Sequence, residues 1–461
     1  MENVRTEVLR GLAVNPSAPS DVLLRLLEPG AEASWLWLCL RTGGLPDDVA
    51  DAILAHPDYR VREILTESWT ADPAQRARLV DDPEVKVRRA LAMGSEPFRG
   101  KAEPLPDAAY ERLLSDPDSR VRAWTARSRS IPLRVLAGYA DHADAEVRAA
   151  VTRAWDELPP PTRQALLADP AAEVRTAAAL RVCHQDAART DELLGELDGW
   201  ERELVLRRCL LTRTTAERLV SSEDDGERGA VALNPSLPAD LVDRLARDPE
   251  HEVRRAVSVR PELTEEQRAA IDYRVEPQER LTPLDWVRAL PDDHEALRRC
   301  ATSAHIWLRR SAAVHPRLPS DLVTRLAADD DFAVRLLTCE FQPSAPAEAV
   351  LGVFLEWKGI TRGELLGKPQ FPRRGLARYA DHDDPALRVL AVHDPDAAPE
   401  LIERLSRDQS GVLRSAAASD PRLSPERIEE LLTDPGAARS AAANPVLPVE
   451  VMHRWLDTAL G

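Results

Sequence analysis

The composition of this 461-residue chain excludes several classes of protein. Hydrophobic residues make up 44% and charged residues 30%, but aromatic residues only 4%, which is typical of helices packed through small aliphatic side chains. The net charge of −17 repels phosphate backbones and disfavours non-specific nucleic-acid binding. The sequence has neither a run of about 18 apolar residues nor an opening leader peptide, so we expect a soluble, cytoplasmic, non-exported protein.

The cysteine and histidine patterns argue against disulfide and metal sites. The five cysteines are an odd number, and none is in C-x-x-C spacing. They are Cys39, Cys183, Cys209, Cys300 and Cys339. No two histidines share H-x-x-x-H or H-x-H spacing. We therefore expect no disulfide framework, no zinc site and a reducing compartment.

Along the chain, the most regular feature is a Val-Arg or Leu-Arg pair that follows an Asp-rich turn. Neighbouring pairs are often 26 residues apart, as from Arg62 to Arg88 and from Arg122 to Arg148. The repeat arginines are Arg62, Arg88, Arg122, Arg148, Arg175, Arg254, Arg309, Arg335, Arg388 and Arg414, with weaker matches at Arg207, Arg228 and Arg439. Self-similarity at one period indicates a repeat architecture.

The best-preserved repeat runs from Asn234 to Ser258 and predicts two short helices. In the first helix, Pro238 is suited to the first turn, and Leu241, Val242 and Leu245 form an apolar stripe at helical spacing. Such a helix cannot bury its stripe alone, so successive repeats are expected to stack into one continuous core.

The second helix of this repeat is predicted to begin after an Asp-Pro pair. Asp248 is a suitable N-cap and Pro249 a suitable first residue. Val253, Ala256 and Val257 follow at the i, i+3 and i+4 positions of one apolar face.

The repeat resembles the leucine-rich repeat variant family, a group of bacterial HEAT-like helical repeat proteins. The shared pattern is N-P-x-x-P-x-x-L-L-x-x-L-A-x-D-P-x-x-x-V-R-x-A-V-A. Similar stretches begin at Asn15, His56, Asn234, His315, Asp394, Asp420 and Asn444, each followed by proline. The resemblance implies an all-α, right-handed solenoid of the ARM/HEAT kind, in which α-helices alternate with 3₁₀-helices. Some members hold an iron–sulfur centre in a cysteine cluster, which this sequence lacks, so no cofactor is expected.

We predict one extended solenoid over residues 1–461, with irregular insertions near 94–106, 186–203, 272–285 and 352–375. Non-repeating segments are where binding surfaces tend to fall. The last insertion combines aromatic and basic residues with glycines in an acidic chain. It supplies the predicted binding residues Trp357, Lys358, Lys368, Phe371, Arg373 and Arg374.

The repeat arginines allow two interpretations. Stacked repeats could align them into a ladder that follows phosphates, as in HEAT-like DNA glycosylases. Alternatively, each arginine could bridge its repeat to carboxylates or helix-end carbonyls of the next one. We favour the structural interpretation, because 78 acidic residues outnumber 61 basic ones and dilute any positive stripe.

No catalytic motif accompanies the repeats. The sequence contains no G-x-S-x-G, H-E-x-x-H or glycine-rich phosphate loop. We therefore predict a non-catalytic scaffold that binds a protein or peptide along its surface, with nucleic-acid binding as the alternative. We expect a monomer whose terminal repeats are capped by polar faces.

Overall fold

The computed structural model describes residues 2–68, 70–94, 102–276, 279–291 and 293–460. In these ranges the chain is a succession of short helices without β-strands, which confirms the predicted all-α helical-repeat solenoid. It divides into two compact units. Unit 1 comprises Met1–Ala178 and Arg373–Gly461, and unit 2 comprises Ala179–Pro372. The single array over residues 1–461 stays a prediction.

The helices follow one another in pairs. The first part of unit 1 contains α1 (Glu2–Val14), α2 (Ser20–Arg25), α3 (Glu32–Cys39), α4 (Asp47–Ala55), α5 (Tyr59–Glu67), α6 (Pro73–Ala77), α7 (Val85–Met93), α8 (Asp107–Leu114), α9 (Ser119–Arg127), α10 (Leu133–Ala137), α11 (Ala145–Val151) and α12 (Pro160–Leu167). The division between the units falls within α13 (Ala172–Val182). Unit 2 continues with α14 (Ala187–Glu196), α15 (Gly199–Arg208), α16 (Arg213–Val220), α17 (Asp225–Ala232), α18 (Ala239–Leu245), α19 (His251–Ser258), α20 (Glu265–Ala269), α21 (Asp285–Arg288), α22 (His294–Thr302), α23 (Ile306–Ala313), α24 (Ser320–Leu326), α25 (Phe332–Phe341), α26 (Ala347–Glu356) and α27 (Arg362–Leu366). The second part of unit 1 contains α28 (Pro385–Val392), α29 (Pro399–Leu405), α30 (Gly411–Ala418), α31 (Pro425–Leu431), α32 (Ala438–Ala442) and α33 (Val449–Leu460).

The alternation of α- and 3₁₀-helices that the family resemblance implies is not found in the described residues. Both helices of a typical repeat are α-helices, as in α18 and α19. Across the ranges that the structure describes, 3₁₀-helices occur only at Arg78–Asp81, Thr152–Glu157 and Leu376–Tyr379.

The apolar stripes of the best-preserved repeat are buried as predicted. Leu241, Val242 and Leu245 on α18 are at most 6% exposed. On α19, Val253 and Val257 are fully buried. The stripes of neighbouring repeats therefore share one core, as stacking requires.

The predicted cap of α19 is wrong. The helix begins at His251, and the carboxylate of Asp248 accepts the backbone N–H of Glu250 instead of capping a helix that starts at Pro249. The bond from Glu250 N closes a turn ahead of the helix, so that the N-cap position falls on Glu250, which has extended backbone angles. The Asp248 carboxylate also accepts two hydrogen bonds from Arg228, at 2.8 and 3.1 Å.

The four predicted insertions differ in structure. In 94–106, residues 95–101 lie outside the described residues. The segment 186–203 is largely helical, because it holds α14 and the start of α15. Between α20 and α21 the described residues form no helix, and 352–375 contains the end of α26 and the short α27.

A carboxylate ladder of arginine–acid pairs joins successive repeats within each unit. In each rung, Nε and Nη2 of the repeat arginine donate to a carboxylate about one repeat later, as in Arg62–Asp82 at 2.6 and 2.9 Å. The pairs are Arg62–Asp82, Arg88–Asp116, Arg122–Asp144, Arg148–Asp169, Arg228–Asp248, Arg309–Asp329, Arg388–Asp408 and Arg414–Asp434. The structural interpretation of these arginines is confirmed.

The third guanidinium nitrogen of each ladder arginine, Nη1, donates to backbone carbonyls of the arginine's own repeat. Nη1 of Arg228 donates to the carbonyls of Ser222 and Glu223, in the turn before its helix. Of the two kinds of acceptor predicted in the next repeat, these rungs use the carboxylate, and a carbonyl of the following segment is used by Arg254, whose Nε donates to Asp272 O at 2.6 Å. The arginine thus fixes its own turn and the following repeat at once, with charge-assisted bidentate geometry.

A second set of bonds, the carbonyl ladder, lies at the turn after the second helix. A polar side chain there donates to two carbonyls at the end of the equivalent helix one repeat earlier. Asn234 Nδ2 donates to Leu206 O and Cys209 O at 2.7 and 2.8 Å. Gln342, Arg260, Arg422 and Asn444 do the same elsewhere. These bonds satisfy helix-end carbonyls that stacking removes from water.

Cys183 and Cys209 form a disulfide in unit 2, so the expectation of no disulfide is wrong. The two residues are 26 positions apart, which is one repeat, and stacking brings their Cα atoms to 5.2 Å. Cys39, Cys300 and Cys339 are free and buried. The cysteine argument for a reducing compartment therefore fails, and cytoplasmic localisation stays a prediction.

The carboxylate ladder predicts a contrast between buried and exposed pairs. Arg228 and Asp248 are only 11% and 7% exposed, whereas Arg213 and Asp240 in the same unit are 53% and 59% exposed. We expect Asp248→Asn to lower the free energy of unfolding by about 2 kcal/mol or more, because it leaves a buried guanidinium without its counter-charge. Urea unfolding measures this change.

The matched control is Asp240→Asn, which removes an exposed pair whose attraction water screens. Its unfolding curve should overlie that of the wild type. Equal losses for the two variants would show that the ladder does not hold the repeats together.

The disulfide predicts a defined alkylation pattern. After denaturation without reductant, iodoacetamide should modify Cys39, Cys300 and Cys339, and only after reduction should it also modify Cys183 and Cys209. Intact mass and peptide mapping measure this, and modification of all five cysteines without reductant would rule the bond out.

Candidate functional site

The residues that the sequence predicts as a binding site are spread over both units. Trp357, Lys358, Lys368 and Phe371 belong to unit 2, whereas Arg373 and Arg374 belong to unit 1. Lys358, Arg373 and Arg374 are exposed, and Lys368 is half-buried. Arg374 lies 3.7 Å from Asp396.

Two aromatic residues of this set are engaged in packing. The Phe371 ring is 2% exposed and packs edge-on against Phe354 at 5.4 Å, so it cannot reach a ligand at the surface. The half-buried Trp357 donates its indole N–H to Thr361 Oγ1 at 2.9 Å and lies 5.5 Å from the Phe332 ring. A binding role for the five residues other than Phe371 stays a prediction.

A larger feature is a groove of about 750 Å³ in unit 2, here named the Arg–Trp groove. Its floor and walls come from the C-terminal end of α15, from α19 and α23, and from the segment 279–289. Its aromatic and basic lining residues are Arg207, Arg208, Arg255, Arg280, Trp286, Arg288 and Trp307. Pro235, Pro261 and Pro283 add rigid apolar surface.

The segment that forms one wall is irregular for a local reason and is held by hydrogen bonds. Pro283 lies just before the four-residue α21, where its ring is compatible with a helix start but not with a helix interior. Thr282 O accepts the indole N–H of Trp307 at 2.8 Å, and Leu284 N donates to Ser311 Oγ at 3.1 Å. The indole N–H of Trp286 donates to Val259 O at 3.1 Å. The wall is thereby fixed to α23 and to the end of α19.

The groove carries an excess of positive charge. Its lining contains five arginines and two carboxylates, Glu279 and Asp285, an excess of three positive charges. Asp285 pairs with Arg208, and Glu279 pairs with Arg255. The Arg255 guanidinium also lies 5.7 Å from the Trp307 ring centre, within the range of a cation–π contact.

Two arginines of the groove have no counter-charge among the residues that the structure describes. Arg280 and Arg288 are exposed, and neither makes an ion pair or a side-chain hydrogen bond with another described residue. The backbone N–H groups of Arg280, Leu281 and Thr282 also donate to no described residue. The groove therefore offers charge and backbone donors to a ligand.

His305, the residue directly before α23, is buried next to this wall. It is 1% exposed, its ring stacks on Tyr273 at 4.2 Å, and its Nε2 lies 2.8 Å from Ser258 Oγ. Its Nδ1 accepts the backbone N–H of Trp307 at 3.2 Å. Burial lowers the pKa of His305 to about 3, because the protonated ring has lost its water. The neutral ring thus contacts both Tyr273, in the segment between α20 and the wall, and the backbone of Trp307.

The sequence marks only part of this groove. It identifies 272–285 as non-repeating, but it does not connect that segment with Arg207, Arg208, Arg255 or Trp307. These residues belong to repeats far apart in sequence and meet only through stacking.

Within the described ranges, no group of three or more His, Cys, Asp or Glu side chains could hold a metal ion. None of the helices given above is long and apolar enough to cross a membrane.

Neither a protein-family model nor a curated protein matches the chain. Among solved structures, a leucine-rich repeat variant with a novel repetitive structural motif is 22% identical, covering 50% of this chain and 86% of that one at a TM-score of 0.31. An engineered protein is 15% identical over 98% and 99% of the two chains at a TM-score of 0.14. A chain from work on tubulin recruitment by TOG-domain microtubule polymerases is 10% identical over 93% and 97% at a TM-score of 0.22. At these scores the likenesses carry no argument about function.

The buried histidine predicts a pH dependence of stability. The unfolded chain binds a proton at the ordinary pKa of 6.5, whereas folded His305 does so only at about 3. The unfolded state therefore gains protons as the pH falls below 6.5, and stability is lost. Between about pH 7.5 and about pH 5 we expect a loss of about 2 kcal/mol from this residue.

Urea unfolding of the wild type and of His305→Asn at both pH values isolates this contribution, because other titrating groups are common to both proteins. The wild type should lose more stability on acidification than the variant. Equal losses would show that folded His305 is protonated normally.

Proposed function

We propose that the chain is a non-catalytic interaction scaffold whose Arg–Trp groove binds an extended segment of a partner protein. The segment carries carboxylates on either side of an apolar side chain. The observation that carries the proposal is the placement of Arg280 and Arg288 beside Trp286 and Trp307 in a strongly acidic chain, because both arginines are exposed and neither makes an ion pair with a described residue.

Electrostatics favours an acidic segment. The chain has a net charge of −17, and the carboxylate ladder neutralises most of its repeat arginines. The groove, with its excess of positive charge, is a local exception to this acidic character. Guanidinium groups bind carboxylates with bidentate geometry, and arginine and tryptophan are enriched among the residues that dominate binding energy.

Shape and backbone favour an extended peptide over a compact ligand. The unused N–H groups of 280–282 lie along an irregular wall, where an extended chain could place its carbonyls. Trp286, Trp307 and the prolines provide an apolar surface for one side chain between the flanking carboxylates. Because both indole N–H groups are already bonded to the protein, the rings are fixed before a ligand arrives, which reduces the entropic cost of binding.

Nucleic-acid binding has less support. A backbone-following site needs a stripe of free cations, and the repeat arginines that would form it are paired with aspartates in both units. Nucleic acid is therefore retained as an outcome of the test.

The test is selection of random dodecapeptides displayed on phage against the full chain, followed by fluorescence anisotropy of the enriched peptides. We expect sequences with Asp or Glu beside Leu, Phe or Pro. The double variant Arg280→Glu/Arg288→Glu should weaken binding about tenfold or more, because it replaces attraction by repulsion.

The matched control is Arg244→Glu, which reverses an exposed arginine on α18 outside the groove and should leave the affinity unchanged. Oligonucleotides are tested in the same assay. Enrichment of basic peptides, equal losses for both variants, or tighter binding of oligonucleotides would contradict the proposal.

A further inference from the structure

The two ends of the chain pack on each other within unit 1 in the register of two successive repeats. Asn15 Nδ2 donates to Ala442 O and Asn444 O at 2.7 and 2.8 Å, across 427 residues of sequence for the first bond. One repeat earlier, Asn444 Nδ2 donates to Ala418 O and Asp420 O at 2.8 and 2.9 Å. The first repeat therefore occupies the place of the repeat that would follow the last one. We name this contact the terminal joint.

The joint is closely packed around one glycine. A Cβ on Gly11 of α1 would overlap Arg439 O and lie 2.5 Å from the Cβ of Ala442. Since Arg439 O belongs to the backbone, the neighbour cannot yield. Leu12 on α1 and Met452 and Leu456 on α33 are fully buried in the same core.

Charged groups at the rim of the joint are complementary. Arg25 pairs with Asp457 at 2.8 Å, and His453 lies 3.2 Å from Asp21. Arg439 is a repeat arginine, and its nearest carboxylate is Glu7 on α1, at 3.7 Å. This ion pair lacks the two hydrogen bonds of a ladder rung, but it places the arginine of the last repeat against the first repeat. The two terminal faces are buried against each other, so the predicted polar capping faces are not present at this contact.

The joint is held by non-covalent contacts between two different faces. We call the face of α1 and α2 the leading face and the face of α32 and α33 the trailing face. A leading face can bind a trailing face through the same contacts whether the two faces belong to one chain or to two copies of it. The covalent chain raises the effective concentration of the two faces, which favours closure within one copy when protein is dilute.

We propose that the terminal joint is a self-recognition surface whose partner is a second copy of this chain. When the joint opens, the leading face of one copy binds the trailing face of another, with Gly11 of one against Ala442 of the other. Because the faces differ, two copies that exchange both joints form a closed dimer, whereas a single exchange leaves two faces free.

Complementation between two full-length variants tests this directly. Gly11→Leu blocks the leading face and leaves the trailing face intact, whereas Ala442→Leu blocks the trailing face and leaves the leading face intact. Each variant alone is expected to remain monomeric with an open joint. An equimolar mixture can form one wild-type joint, between Gly11 of one variant and Ala442 of the other, and should give a one-to-one dimer.

Size-exclusion chromatography with light scattering and native mass spectrometry measure the species. Two well-folded variants that stay monomeric when mixed would overturn the proposal. Gly229→Leu, on α17, is the control for a helical glycine, because apart from the adjacent backbone of its own helix no described atom lies within 4 Å of its added Cβ. Purified without unfolding, it should stay monomeric alone and in mixtures with either variant, because its own joint is intact and closed.

Circular dichroism shows whether the two variants fold. If either does not, wild type refolded from urea at low and at high concentration decides the question. Dimers that increase with concentration and are not disulfide-linked on a non-reducing gel support the proposal, provided that Gly229→Leu forms them as well. Monomers at every concentration would contradict it.

Discussion

The bond between a repeat arginine and the aspartate of the following repeat organises the rest of the structure. One guanidinium contacts its own turn through Nη1 and the next repeat through Nε and Nη2, as Arg228 does. The aspartate in turn accepts a backbone N–H two residues later. Burial raises the pKa of Asp248, but the bonds from Arg228 and Glu250 outweigh it and hold that pKa below its ordinary value. The geometry of the turn and the stacking of the repeats therefore depend on the same aspartate carboxylate.

The same pairing of charges underlies the choice of the Arg–Trp groove as the proposed binding site. Arginines that could have formed a continuous positive stripe are neutralised in pairs, so the molecule keeps its acidic character along the repeats. The Arg–Trp groove differs because the segment after α20 interrupts the repeat and brings in Arg280 and Arg288, which make no ion pair within the described part of the chain. An irregular segment thus changes the local charge balance as well as the local shape.

The sequence predicts what is local and periodic. The buried stripes of α18 and α19 follow from spacing alone, and the arginine–acid pairing follows from the Asp-rich turns. The carbonyl ladder was missed although the Asn-Pro pairs at Asn15, Asn234 and Asn444 are visible, because their acceptors lie in another repeat. Cys183 and Cys209 are not in C-x-x-C spacing, but their 26-residue separation equals the repeat and brings them together by stacking. The groove could not be predicted, because its arginines and tryptophans come from four separate helices and one loop.

The carbonyl ladder has a consequence for how such a chain can change in length. In each rung, the acceptor carbonyl lies 24 to 30 residues before the donor side chain, as for Asp420 and Asn444 and for Val392 and Arg422. Loss or gain of a few residues inside a helix would misalign both ladders and leave buried carbonyls without donors. Loss or gain of one whole repeat would bring the next donor to an equivalent pair of carbonyls. Length can therefore change in steps of one repeat, and the helix-end turns are the points at which the chain can be cut and rejoined.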